Sequence, residues 1–277
     1  MGADLHCHTV FSDGSMSVEG TVKLAKTIGL TALAVTDHDT FAGVGLAEKC
    51  GRELGVKIVP GAEITAYDYK RNSNVHVLCY RPKAPEMLSE ICGATIAARR
   101  NAGEIMAQRL SEVYPISAED ILKCSEKSTT VFKQHIMHAL MDAGFSLSVF
   151  SSLYYELFKK GGEKYIAQGV KYPNVYDVID AIRSAKGITV IAHPGFYNNF
   201  ELVDELVKND AIDGIEIWHT KNSPSQREWL SSIADERGLL KTGGSDFHGC
   251  NNTEILPLGS CVAPDENLEL LLNYDIR

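Results

Sequence analysis

A chain of 277 residues can bury a large core, and it is long enough for one barrel-sized domain or for a domain carrying an insertion. Its 44% apolar and 23% charged residues are ordinary for a globular fold, and no apolar run approaches membrane-spanning length, so no membrane partner is expected. The formal charge of −9 disfavours a long nucleic-acid track, which needs a broad basic surface, but it is compatible with a small phosphorylated ligand gripped by a few local cations. Seven cysteines, an odd count with no C-x-x-C pair, argue for reduced thiols in a cytoplasmic protein rather than a disulfide framework. A polar motif beginning at residue 4 leaves no room for a signal peptide, and Gly2 opens no myristoylation motif because position 6 is His.

The chain opens on Asp4-Leu5-His6-Cys7-His8-Thr9. In an extended strand alternate side chains share a face, so His6 and His8 point one way and Leu5 and Cys7 the other, with Asp13 just past the strand end. The segment Ser17 to Leu30 carries a helical stripe (Val18, Val22, Ala25, Ile28) that stops at Gly29. Thr31 to Thr36 is a short apolar strand running into Asp37-His38-Asp39-Thr40. A helix over 42–54 leads to the strand Val56 to Pro60 and its continuation Gly61-Ala62-Glu63-Ile64. After a polar, basic loop over 67–74 comes the strand Val75 to Tyr80, which contains His76. Strands alternating with helices in this way predict parallel pairing.

Over 86–171 the strand pattern disappears, and the spacing predicts helices near 88–113, 117–124, 131–143 and 147–159. Residues 86–171 are therefore expected to form an inserted small helical domain, with 1–85 and 172–277 as the main domain. Strands then resume. Ile188 to Ala192 delivers His193-Pro194-Gly195, a strand over 214–218 follows, and Leu239 to Thr242 ends in Gly243-Gly244-Ser245-Asp246-Phe247-His248-Gly249.

His38, Glu63, His193, Asp246 and His248 each fall at or just past the carboxyl end of an expected parallel strand, the end at which α/β barrels gather residues distant in sequence. With His6, His8, Asp13 and His76 they make nine potential metal ligands, six imidazoles and three carboxylates. Glu63 suits a bridging role because a carboxylate has two oxygens. Such a set is enough for two or three divalent cations that keep open positions for water and substrate. Nitrogen and oxygen donors without thiolates suit manganese, iron or zinc.

The ordered set His6-x-His8, Asp13, Thr36-Asp37-His38-Asp39-Thr40, Gly61-x-Glu63, His76, Ala192-His193-Pro194 and Gly244-Ser245-Asp246-Phe247-His248 resembles the PHP (polymerase and histidinol phosphatase) family of metal-dependent phosphoesterases. The resemblance covers nearly the whole chain. It is greatest to the stand-alone branch that acts on nucleoside 3′,5′-bisphosphates and short 5′-phosphorylated oligonucleotides. It implies an α/β fold, a distorted (β/α)7 barrel with an inserted small helical domain, and all nine positions as metal ligands.

The expected reaction is removal of the 3′-phosphate from a nucleoside 3′,5′-bisphosphate, such as adenosine 3′,5′-bisphosphate to AMP and phosphate, by a hydroxide held between two cations. His193 or His135 is the expected proton donor to the leaving alcohol. In the resembling branch the segments matching Arg99-Arg100-Asn101 and Lys133-Gln134-His135 contact substrate, which makes Arg99, Arg100, Asn101, Lys133 and His135 the expected contacts here. The later segment there usually reads Arg-Pro-His, and Lys and Gln replace its first two residues in this chain. His138 reads as structural, and His219, after Trp218, as a candidate for stacking on or bonding a base. One alternative is a 5′-3′ exonuclease on short 5′-phosphorylated oligonucleotides, which would share the site. Another, histidinol phosphate phosphatase, is disfavoured because two arginines call for a second anionic group. A metal-binding regulatory module without turnover is disfavoured by the full ligand set.

Overall fold

Short buried strands whose side chains alternate between two apolar layers set the architecture. In the computed structural model, which describes residues 2–254 and 256–276, β1 (Ala3–Cys7), β2 (Ala32–Val35) and β3 (Lys57–Ile58) pair in parallel. The crossovers are α1 (Val18–Ile28) and α2 (Val44–Leu54). Ser17 starts α1 by accepting the Gly20 N–H, and Gly29 ends it at φ 76°, a left-handed conformation that glycine adopts without a Cβ clash.

A second sheet runs in the order β4 (Gly61–Asp68), β5 (Ser73–Tyr80), β6 (Ile188–Ile191), β7 (Gly214–Trp218), β8 (Leu240–Gly243). The sheets join at both sides. Asp246 N–H donates to His6 O at 2.9 Å and His8 N–H to Phe247 O at 2.8 Å on one side, and Glu63 N–H donates to Thr36 O at 3.1 Å on the other. With β3 only two residues long, the remaining strands form the distorted seven-stranded barrel.

The all-parallel expectation needs correction at β5, which is antiparallel to both β4 and β6. A four-residue connection, 69–72, turns β4 directly back into β5, and a hairpin of that length cannot make a parallel pair. The reversal matters for the site. It brings His76, near the start of β5, beside the carboxyl end of β6, where its carbonyl accepts the Ala192 N–H at 3.1 Å.

Leu5, Ala32, Ala34, Leu78, Tyr80, Ile188, Val190 and Ala192 fill the barrel interior, while Leu33, Val35, Val77, Cys79 and Ile191, one residue out of phase, pack outward. This period of two places His76 in line with Leu78 and Tyr80, Glu63 and Thr65 inward between outward Ile64 and Ala66, and Glu216 inward between outward Ile215 and Ile217.

Between β5 and β6, α3 (Ser89–Ser111), α4 (Ala118–Lys123), α5 (Lys133–Asp142) and α6 (Ser152–Phe158) surround an apolar cluster of their own, including Ala102, Met106, Leu110, Ile121, Ile136, Leu140 and Leu157. The outer layer is completed by α7 (Val175–Ser184), the short α8 (Pro194–Tyr197), α9 (Phe200–Lys208), α10 (Pro224–Arg237) and α11 (Asp265–Asn273). Among the described residues no helix is long and apolar enough to cross a membrane, and the seven cysteines are unpaired.

The two barrel edges pass closely at Gly244, where an added Cβ would meet His6 Cβ at 2.3 Å and His6 N at 2.5 Å. Gly244→Ala is therefore expected to force β1 off the loop after β8 and cost about 3 kcal/mol, the upper end for overpacking. Thermal denaturation measures this, and an unchanged melting temperature would contradict the packing described.

Candidate metal centre and substrate cleft

At the mouth of the barrel five imidazoles surround one carboxylate. Glu63 Oε1 lies 2.8 Å from His76 Nδ1, 2.8 Å from His193 Nε2 and 3.3 Å from His6 Nε2; Oε2 lies 3.0 Å from His38 Nδ1 and 3.2 Å from His8 Nε2. Asp246 Oδ1 is 3.2 Å from His8 Nε2 and 3.5 Å from His6 Nε2, and Asp13 Oδ1 is 3.2 Å from His248 Nε2. Burial pushes the Glu63 carboxyl up, but His76, His6 and His38 outweigh it and hold its pKa well below the usual carboxylate range.

The hydrogen bonds on the outer nitrogens fix what the inner ones offer. His248 Nδ1 faces the Asp246 carbonyl at 2.8 Å, and a carbonyl can only accept, so Nδ1 carries a proton and Nε2 is the ring nitrogen left for a metal. His6 Nδ1 donates in the same way to Glu216 Oε1 at 3.0 Å. His8 Nδ1 faces Ser12 Oγ at 3.4 Å, whose own hydroxyl donates to Asp37 Oδ1 at 2.6 Å. With Nδ1 of each ring given to these outer bonds, His6 Nε2 and His8 Nε2 face each other across 3.2 Å, and as neutral imidazoles they would turn two lone pairs to a shared cation. Among the described residues Asp13 Oδ1, His38 Nδ1, Glu63 Oε2 and His193 Nδ1 are buried without a hydrogen-bond partner.

Converging lone pairs and orphaned carboxylate oxygens are what a cation removes, and the donor set fits divalent metal. Three groups have donor atoms within 4.8 Å of one another: His8, Asp13, His38 and His248; His6, His8, Glu63 and Asp246; His38, Glu63 and His76. Eight of the nine expected ligands fall in these groups, and His193 joins through its contact with Glu63.

Four buried carboxylates hold this arrangement from behind. Asp37 accepts from Thr9 N (2.7 Å), Thr9 Oγ1 (2.7 Å) and Ser12 Oγ, and Asp39 from Thr65 N (2.8 Å) and Thr65 Oγ1 (2.9 Å). Asp4 accepts from Ser245 N and Oγ and from Gly259 N, locking the loop after β8 to β1. Glu216 uses both oxygens, Oε1 on His6 Nδ1 and Oε2 on the His193 N–H at 2.7 Å. His193 needs that anchor, because its backbone sits at φ 24°, ψ 63°; Asp39 (φ 58°) and Asp246 (φ 53°) also occupy the left-handed region.

Two adjoining hollows open over the cluster. The larger, about 420 Å³, is lined by Arg99, Phe132, Lys133, Gln168 and Tyr172; the smaller, about 290 Å³, by Glu63, His193, Asp246 and His248; Asp13, His38, His76, Gln134 and Tyr197 line both. Arg99 crosses from α3 to bond Asp39 Oδ2 (3.1 Å) and Thr65 Oγ1 (3.0 Å), packs over Phe132 at 4.6 Å, and keeps a buried Nε with no partner among the described residues.

The other expected contacts divide. Lys133 lines the larger hollow. Arg100 instead donates to the Thr129 carbonyl at 2.9 Å, and Asn101 is exposed; neither lines the cleft, because neighbours on a helix are turned about 100° apart and Arg99 takes the inward position. His135 is also absent from both hollows. Its Nδ1 accepts the Phe132 N–H at 3.1 Å at the start of α5, and burial pushes its pKa down to about 4, so it is a neutral helix cap beside His138 in a separate hollow.

His138 bonds Asn251 Oδ1 at 2.7 Å, a structural contact. His219 is buried beside Asp246 Oδ2 at 3.6 Å and accepts the Lys221 N–H through Nδ1, which leaves no face for a base. Sequence reasoning passed over Glu216 and Tyr197, and it named Gln134 only as a replacement within the Lys133-Gln134-His135 segment, with no role of its own. Only Glu216 carried a signal, an acidic residue alternating with Ile215 and Ile217 inside a strand.

Glu216→Gln keeps the side-chain shape but removes the charge that orients His6 and the strained His193. It is expected to weaken metal binding about 10–100-fold, measured by competition with a chromogenic chelator, and unchanged affinity would contradict the role given to Glu216.

A family model described as PHP domain matches residues 4–240. Phosphoribosyl 1,2-cyclic phosphate 1,2-diphosphodiesterase of Eggerthella lenta is 34% identical, over 89% of this chain and 94% of that protein. 5′-3′ exoribonuclease Rnm of Escherichia coli is 27% identical over 88% and 84%, and 3′,5′-nucleoside bisphosphate phosphatase of Chromobacterium violaceum 23% identical over 92% and 92%. A crystal structure of a Bifidobacterium adolescentis protein, assigned but not established as a metal-dependent phosphoesterase, matches with a TM-score of 0.88 at 34% identity, covering 98% of this chain and 96% of that one. The family model spans the barrel strands from β1 to the start of β8, with every expected ligand but Asp246 and His248 inside it: the chain belongs to the PHP domain family and is a metal-dependent phosphoesterase.

Proposed function

We propose that this enzyme hydrolyses phosphate esters on a small pentose that carries a second phosphate, with a 5-phosphorylated ribose 1,2-cyclic phosphate as the foremost candidate. The observation that carries the reading is the continuity of the cleft: the imidazole and carboxylate cluster lines one side, Arg99 and Lys133 line the other, and five residues line both. The choice of the cyclic ester follows the 34% identity to the Eggerthella protein over nearly its full length.

On this reading His6, His8, Asp13, His38, Glu63, His76, His193, Asp246 and His248 hold two or three divalent cations, of manganese, iron or zinc. When bound, these supply an activated water and neutralise charge on the phosphoryl oxygens. The chain's own residues do the rest. Arg99, pinned by Asp39 and Thr65, presents its free guanidinium edge to the distant phosphate, and Lys133 adds a point charge. Residues 86–171 act as an inserted unit that supplies both.

A water oxygen bonds to phosphorus, one ring P–O bond breaks, and the freed alkoxide takes up the proton that the water gives up, leaving a monoester. A second water then breaks the remaining ester bond and releases orthophosphate.

A nucleoside 3′,5′-bisphosphate is the second reading, favoured by the aromatic side chains of Tyr165 and Tyr172 in the wall of the larger hollow, beside which a base would lie. It shares with the first a pentose phosphorylated at the far end. Short 5′-phosphorylated oligonucleotides share that end group also, whereas histidinol phosphate leaves the cations of the larger hollow without an anion.

Phosphate release and phosphorus NMR, with manganese present, should be compared on ribose 1,2-cyclic phosphate with and without a 5-phosphate, adenosine 3′,5′-bisphosphate, 5′-phosphorylated dinucleotides to pentanucleotides, and histidinol phosphate. The 5-phosphorylated substrates are expected to lead, and Arg99→Ala is expected to cost them about 1.5–3 kcal/mol in kcat/KM. Equal rates with and without the second phosphate would overturn the reading.

A further inference from the structure

Gln134 is the one residue of α5 whose side chain reaches the metal cluster while lining both hollows. Its Nε2 donates to Asp13 Oδ2 at 2.8 Å. A carboxylate accepts only, so the amide orientation is fixed by chemistry: the nitrogen faces Asp13 and the carbonyl Oε1 is left over. Among the described residues no hydrogen bond is made by that oxygen, and Gln134 is only partly buried, so Oε1 is available to a ligand.

Its place defines what it can bind. Asp13 shares one of the three ligand groups with His8, His38 and His248, so a phosphate reacting there lies within one side chain's reach of Gln134. The larger hollow with Arg99 and Lys133 begins on its other side. An acceptor repels phosphoryl oxygens and selects a donor. On a phosphorylated pentose spanning the two hollows, the donor next to the reacting ester is the hydroxyl on the adjacent ring carbon.

We propose that Gln134 is a specificity-determining residue whose Oε1 accepts a hydrogen bond from the sugar hydroxyl vicinal to the reacting phosphate, so that the enzyme selects ribose over the corresponding deoxy sugar. The inference rests on the substrate class proposed above and adds to it a reader for the hydroxyl. It applies to either candidate, as the 3-hydroxyl of a ribose 1,2-cyclic phosphate or the 2′-hydroxyl of a nucleoside 3′,5′-bisphosphate.

Two substitutions separate the two ends of the amide. Gln134→Lys keeps a donor for Asp13 and removes the acceptor, while Gln134→Met removes both. The test compares kcat/KM on adenosine 3′,5′-bisphosphate against its 2′-deoxy analogue, and on 5-phosphoribosyl 1,2-cyclic phosphate against its 3-deoxy analogue, using manganese-loaded full-length protein. The wild type is expected to prefer the hydroxylated member by about tenfold, the size of one neutral hydrogen bond. Both variants should bring the ratio to about one at saturating manganese, with manganese affinity lowered in each, by the ammonium beside Asp13 in Gln134→Lys and by the lost amide bond in Gln134→Met. A ratio near one in the wild type, or a preference that survives in Gln134→Lys, overturns the proposal while leaving the substrate class standing. Failure of the wild type to hydrolyse any of the four compounds removes the substrate class, and this inference with it.

Discussion

Six imidazoles and three carboxylates crowd one barrel mouth, and six of the nine are buried, with His76, Asp246 and His248 partly so. Charges taken out of water cost several kcal/mol each unless something of opposite sign meets them with good geometry. Here they meet one another only in part: Nε2 atoms of His6 and His8 face each other, and the buried Asp13 Oδ1 and Glu63 Oε2 lie 3.2 and 3.0 Å from imidazole nitrogens without making a hydrogen bond among the described residues. Divalent cations would satisfy these groups together, which is why the donor set is better explained by metal than by a self-contained ion-pair network.

The rest of the barrel mouth is built to keep those donors from relaxing. Asp4, Asp37, Asp39 and Glu216 are not themselves in the ligand groups, yet each is buried and each ties a loop or a ring in place. Glu216 spans β1 and β6 by holding the His6 ring and the His193 backbone at once. Asp39 connects in another direction. Its carboxylate holds Thr65 and receives Arg99, and its N–H donates to the Glu63 carbonyl at 2.8 Å, so the strand bearing Glu63 and the helix bearing the phosphate grip are fixed to one residue. The three positive-φ residues at the mouth, Asp39, His193 and Asp246, show that backbone comfort gives way to the aim of these groups.

Much of this was legible because strand periodicity is local. His6 and His8 share a face by the rule of two, and His38, His193, Asp246 and His248 follow apolar strands, so their convergence follows from a barrel. His76 was harder, since a residue inside a strand reaches the mouth only if that strand runs backwards. The signal for that lay in the short 69–72 connection, obscured because both strands extend further into the polar segment than their apolar residues indicate. Glu63 sits inside β4 rather than at its end for the same reason. On α3, Arg99 and Arg100 are equivalent in composition, and only the position of the helix decides which one enters the cleft. His135, the expected contact, caps α5 from within, and Gln134, to which no role was assigned, touches Asp13 instead. No sequence pattern separates those two, because the choice depends on how α5 docks against the barrel.

The central claim is that this mouth exists to hold cations. Equilibrium dialysis against manganese, followed by elemental analysis, tests it most directly, with the wild type compared to Glu63→Gln. Two or three ions per wild-type chain, and fewer once the carboxylate at the meeting point of the groups is neutralised, is the result the geometry predicts. A wild-type chain that binds no metal under replete conditions would contradict the account, as would a Glu63→Gln chain that retains its full complement.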